Sequence, residues 1–214
     1  MSKIEWYRRT TWSDADREDF NARLKRSRGA RNKAQYLRIQ AVHLAASGHH
    51  VGAIELLDRL FAEFPERIEL ALAHSQKAKS LVTLGQMDAA IKEYRAALQA
   101  ERDFPNVRTN AWLDFGWLVA EKQMTDHYNE ALHVLLEFRE KCDLKLPATE
   151  YRYAAVHAML ADYRGDKALA REFARQALAE AEKHHSGLRY HPTVGLVGSE
   201  RNTLSDRLET LAGS

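Results

Sequence analysis

The sequence predicts an all-α protein, a solenoid of antiparallel helix pairs closed by a capping segment at each end. Three observations carry that expectation. Alanine and leucine are abundant against four prolines and ten glycines in 214 residues, so long helices form readily. β-Branched residues are sparse, which leaves little material for a sheet. A motif also recurs: a glycine, an alanine five residues later, an apolar or aromatic residue four later, and a small or apolar residue three beyond that.

The elements follow in chain order. Residues 1–33 form an N-terminal segment in which Trp6, Tyr7 and Trp12 precede a helix. Ser13 followed by Asp14 and Asp16 marks its start, because a serine hydroxyl caps free amides and acids suit the positive end of a helix dipole. That helix is expected to reach about Ser27 and to bury Phe20 and Leu24.

Residues 34–185 hold four helix pairs. The first pairs Leu37, Ala41 and Leu44 with Gly48, Ala53, Leu57 and Leu60, and Pro65 falls at the turn into the next helix. The second sets Ala78 and Leu81 against Gly85, Ala90, Tyr94 and Ala97. The third has Trp112, Phe115, Gly116 and Val119, then Ala131, Leu135 and Phe138 without the glycine. The fourth has Ala154, Ala158 and Ala161, then Gly165, Ala170, Ala174 and Ala177. Each glycine is expected to end a first helix in the left-handed conformation that only glycine adopts without a Cβ clash. Each alanine marks a close crossing, where a larger side chain would push the axes apart. The alanines at 53, 90, 131 and 170 are separated by 37, 41 and 39 residues. Residues 186–214 supply a loop from Ser186 to Gly198 and a short amphipathic helix with Leu204, Leu208 and Leu211, suited to cover an otherwise exposed solenoid end.

Trp112-x-x-Phe115-Gly116-x-x-Val119 follows the W-x-x-L-G-x-x-Y pattern. On these residues and the Gly–Ala spacing, the chain resembles the tetratricopeptide-repeat superfamily over roughly residues 34 to 182. Against the family pattern, His74 and Lys77 take slots normally large and apolar, and the turn Gln123-Met124-Thr125-Asp126-His127 carries three extra residues. The resemblance implies a right-handed superhelix whose first helices line a concave groove for a peptide or protein. The residues it places in that groove are Arg38, Lys79, Asn110, Asp114, Trp117, Arg152 and Tyr163, with arginine and lysine to hold carboxylates and aromatic rings as flat anchors. The lysine and asparagine set by which some relatives clamp a terminal carboxylate is not reproduced, since its slots hold Arg38, Val42 and Gln76. Either terminal segment is a candidate to fill the groove.

Other chemistry is thin. The formal net charge of +2 demands neither nucleic acid nor membrane. The first nine residues lack the apolar run of a secretory signal, and no apolar stretch reaches the ~18 residues of a membrane helix. These absences, with the single Cys142, are read as favouring a cytoplasmic protein with a structural thiol. Ten histidines include the adjacent pairs His49-His50 and His184-His185, but neighbours on a helix diverge by about 100° and make poor shared ligands. No metal, cofactor or catalytic set is expected, and the chain is read as a non-enzyme. A basic run of Arg23, Lys25, Arg26, Arg28, Arg31 and Lys33 is interrupted by no acid. Arg26, Arg28 and Arg31 are its candidate phosphate contacts, although no aromatic is interleaved to stack bases. The expectation is therefore an interaction scaffold. A nucleic-acid-associated regulatory module and a dedicated inhibitor or immunity-type protein are the alternatives, and self-association through the C-terminal helix is left open.

Overall fold

The computed structural model describes residues 5–141, 145–198 and 203–213. Ten α-helices and no strand occur among them. The helices are α1 (Asp14–Arg26), α2 (Ala30–Ala46), α3 (His50–Glu63), α4 (Arg67–Thr83), α5 (Met87–Asp103), α6 (Ala111–Glu121), α7 (Tyr128–Arg139), α8 (Pro147–Tyr163), α9 (Lys167–Ala181) and α10 (Thr203–Gly213). None is long and apolar enough to cross a membrane. Cys142, expected to be a structural thiol, lies outside the described residues.

The turns explain the pairing. Three-residue connections join α2 to α3, α4 to α5 and α8 to α9, and the helices of each of these pairs pack along one another. Gly48, Gly85 and Gly165 stand in the left-handed region at φ 83°, 75° and 80°. In each case the residue after the glycine donates its N–H to the carbonyl five positions earlier. These bonds run from His49 to Leu44 (2.8 Å), from Gln86 to Leu81 (2.9 Å) and from Asp166 to Ala161 (3.0 Å). This bond takes up a carbonyl that the helix end would otherwise leave unpaired. The third turn is closed the same way, by Met124 N–H to the Val119 carbonyl at 3.0 Å, with Gln123 in the left-handed position at φ 52°. The extra residues there form a single 3-10 turn, Thr125–His127, before α7 begins.

The small positions are close-packed. Ala53, Ala90, Ala131 and Ala170 are all 0% exposed. Gly116 serves the same end: a Cβ built there would meet Leu135 and Val156 at 3.4 Å, so α6 lies tight against α7 and α8.

The contacts divide the chain into two compact units, residues 1–111 and 112–214. In the first, Phe20, Leu24, Leu37, Leu44, Leu57 and Leu60 form the core. Ser13 caps α1 reciprocally with Asp16: Asp16 N–H donates to Ser13 Oγ at 3.2 Å, and Ser13 N–H to Asp16 Oδ2 at 3.0 Å. Bonds from the Ser13 hydroxyl and amide hold the Asp16 carboxyl well below the usual carboxylate range. The N-terminal segment folds back over this core. Trp6 meets Tyr36 edge-on at 4.9 Å, and Tyr7 packs on it at a tilt at 4.7 Å. The fully buried Gln40 amide bonds both the N–H and the carbonyl of Arg9, at 3.0 and 2.8 Å. Tyr36 and Gln40 share one face of α2, and Arg38 lies on roughly the opposite one.

In the second unit α8 is buried from Ala154 to Ala161. α10 packs on α9 and α8 through the buried Leu204 and Leu208, with Leu211 half-buried. The loop before it returns to the start of α8, where Ala148 N–H donates to the Gly195 carbonyl at 2.7 Å and Leu146 lies against Gly195.

Candidate partner-binding site

The second unit brings three of the sequence-predicted groove residues together. α6 is buried from Ala111 to Ala120 except at Trp117, which stays partly exposed. α8 runs beside it and delivers Arg152. Its guanidinium lies 5.3 Å from the Trp117 ring centroid, and its Nη2 stands 2.8 Å from Asp114 Oδ1. Tyr151 extends the aromatic surface at 6.0 Å from Trp117, and its hydroxyl is 3.4 Å from Ser205 on α10. Positions 114 and 117 share a face of α6 because three residues make nearly one turn. The result is an indole face, a guanidinium laid over it, and a carboxylate orienting the guanidinium. The Arg152 side chain keeps 27% of its surface and Asp114 keeps 9%. A cation over an indole is held by the ring quadrupole, and a guanidinium carries more donors than one carboxylate contact uses.

Tyr163 stands apart from this cluster. It ends α8, is 58% exposed, and packs edge-on against Tyr128 at 4.5 Å. In the first unit Arg38 is taken up by Glu69, which ties α2 to α4 and is itself buried. Lys79 is exposed on α4, and Asn110 is exposed just before α6. Arg26, Arg28 and Arg31 are all exposed around the break between α1 and α2, where Gly29 has φ 79°. Among the described residues no carboxylate pairs with these three, whereas the neighbouring Arg23 pairs with Asp19 at 2.9 Å.

Two polar clusters escaped sequence reasoning. His74 and Lys77, out of place in an apolar stripe, share Glu93: His74 Nδ1 is 2.6 Å from one oxygen and Lys77 Nζ 2.7 Å from the other. Lys77 also reaches Asp58 at 2.6 Å, and Phe61 stacks on His74 at 4.1 Å. Burial works to lower the Lys77 pKa, but its bonds to Asp58 and Glu93 outweigh it and the net shift is upward. Burial likewise opposes ionisation of Glu93, and its bonds to His74 and Lys77 reverse that, leaving its pKa lowered. Lys77 and Glu93 therefore stay charged, and the cluster bolts α3, α4 and α5 together. In the second unit Arg139 grips Glu150 with both terminal nitrogens at 2.6 Å and lies 4.9 Å over Tyr153. His157 packs at a tilt against Tyr153 at 4.4 Å. The odd residues at 74 and 77 were the available signal for the first cluster; the second carried none.

Among the described residues no group of three histidine, cysteine, aspartate or glutamate side chains is placed to hold a metal ion. The Ser186 hydroxyl donates to the backbone carbonyl of His191 at 2.7 Å, so it serves the loop backbone and does not form a serine–imidazole pair. Compared with known proteins, the chain matches no protein-family model and no curated protein.

Proposed function

We propose that this protein is a tetratricopeptide-like interaction scaffold that holds a peptide or protein partner, with Trp117 and Arg152 as its anchors. The observation that carries the reading is the Asp114–Arg152–Trp117 cluster, an oriented cation on a partly open indole. Tryptophan, tyrosine and arginine dominate binding hot spots because they bring large contact area or several donors with little entropy to lose. Two further features support the repeat reading. Four helix ends close by the same bond. In each unit an ion pair also joins one first helix to the next, Arg38 with Glu69 and Asp114 with Arg152.

The test is capture from host extract by the tagged full chain, quantified against Trp117→Ala and Arg152→Ala. A stoichiometric protein partner should be recovered by the wild type and weakened about tenfold or more by either substitution, with the helical circular dichroism retained. Equal recovery by folded variants would remove these residues from the site.

A second reading, contact with nucleic acid, is favoured by the exposure of Arg26, Arg28 and Arg31, which have no carboxylate partner among the described residues. It requires oligonucleotide affinity that falls steeply with salt and a shallower slope after neutralising the three arginines. Salt-independent binding is incompatible with it.

A further inference from the structure

The Ser186–Pro192 segment after α9 is closed by bonds within itself. Ser186, 8% exposed, closes it. Its N–H donates to the Pro192 carbonyl at 2.7 Å, and its hydroxyl donates to the His191 carbonyl at 2.7 Å and accepts the Leu188 N–H at 3.1 Å. His191 N–H returns to the Leu188 carbonyl at 3.2 Å, and Gly187 makes the reversal at φ 86°. The far side is pinned to α8 by the bond between Gly195 and Ala148. A seven-residue ring tied this densely presents a fixed tip.

That tip is Arg189-Tyr190-His191, all exposed. Tyr190 keeps 78% of its surface, the largest share among the exposed large hydrophobic residues described. The Arg189 guanidinium sits 5.3 Å from its ring and, among the described residues, meets no carboxylate. A lone surface aromatic on a slack loop needs no explanation. Here the backbone is already fixed, so the ordering cost that usually weakens loop binding is largely met before a partner arrives. Tyrosine then offers a rigid amphipathic face with few rotors to freeze.

Charge selects the partner. From Lys183 to Ser199 the sequence holds no acidic residue, although charged residues make up 29% of the chain. Lys183 is paired with Glu180 at 2.6 Å, which leaves Arg189 and three imidazoles as the side chains of that span able to present positive charge. Attraction to acidic surfaces follows, and basic ones are repelled.

We infer that the Ser186–Pro192 loop is a pre-ordered recognition loop for an acidic polypeptide segment, with Arg189 meeting its carboxylates and Tyr190 packing on an adjacent apolar side chain. This surface does not depend on the Trp117–Arg152 site, and the test separates the two. A random twelve-residue peptide library is selected on the full chain, and the best synthetic peptide is titrated against the wild type, Arg189→Ala, Tyr190→Ala, Ser186→Ala and Trp117→Ala. The expected peptides are enriched in Asp and Glu. Their affinity should fall about tenfold in Arg189→Ala and in Tyr190→Ala, and be unchanged in Trp117→Ala. Ser186→Ala keeps both contact side chains and removes the latch, so a loss of about threefold or more there reports the pre-ordering. Peptides without acidic enrichment, peptides indifferent to Tyr190, or a selection that returns no binder overturn the inference. Peptides lost only in Trp117→Ala also overturn it while upholding the anchor cluster, and a charge-matched single-stranded oligonucleotide that binds more tightly than any peptide does the same in favour of nucleic acid.

Discussion

His157 is 7% exposed, stacked on Phe173 at 4.7 Å and against Tyr153 at 4.4 Å. Burial, with the Arg139 cation adding to it, pushes its pKa down to about 4 from the ordinary 6.5. The folded chain therefore holds a neutral imidazole, while the unfolded chain takes up a proton at higher pH. The sign is fixed: the unfolded state binds more protons between about pH 6.5 and 4, so stability falls as the solution is acidified through that window. The expected loss between pH 7.5 and 5 is about 2 kcal/mol, measured by urea unfolding. His157→Phe should remove more than half of that dependence, because a phenyl ring keeps the stack and takes no proton. A wild-type stability flat across this range would contradict the account. Acidification only to pH 5 stays above the usual carboxylate range, which separates this effect from the loss of the ion pairs around Glu93 and Asp16.

At the scale of the element, the turn is the unit of construction. Three of the four first helices end on glycine, and the third ends on Gln123 at φ 52° while keeping the same closing bond. A side chain in the left-handed region costs about 1–2 kcal/mol, and glycine's freedom in the unfolded chain offsets part of the gain from replacing it. Gln123→Gly should thus raise stability by about 0.5–1 kcal/mol in denaturant unfolding; a destabilised variant would mean that the glutamine side chain holds the turn. The helix ends and close crossings were legible in the sequence because both impose a residue type locally. Glycine answers a backbone angle, and alanine at 53, 90, 131 and 170 answers a crossing with no room to spare. The acids that engage Arg38, Arg152 and Lys77 were not legible. Glu69 lies two helices beyond Arg38, Asp114 two helices before Arg152, and Glu93 one helix beyond Lys77. A cation facing inward is visible in a helical pattern, but its partner is set by packing between elements.

At the scale of the whole molecule, the near balance of charge hides local bias. The N-terminal basic run is split by Gly29, so Arg23, Lys25 and Arg26 sit at the favourable end of α1 while Arg31 and Lys33 occupy the first turn of α2, where the dipole opposes them. Replacing Arg26, Arg28 and Arg31 with glutamine takes the formal net charge from +2 to −1. Because all three are exposed and, among the described residues, meet no carboxylate, thermal unfolding should shift by no more than about 0.5 kcal/mol per site. A larger loss would assign them to the fold and remove them as phosphate contacts. The uniform helix closure also has a practical reach. Each closing bond is made within six residues of chain, so every hairpin sets its own starting angle without reference to the length of the connection after it. The added 3-10 turn at Thr125–His127 shows one such lengthening already absorbed. That position is where a reporter tag or a foreign binding sequence can be spliced in with the helices on either side left as they are.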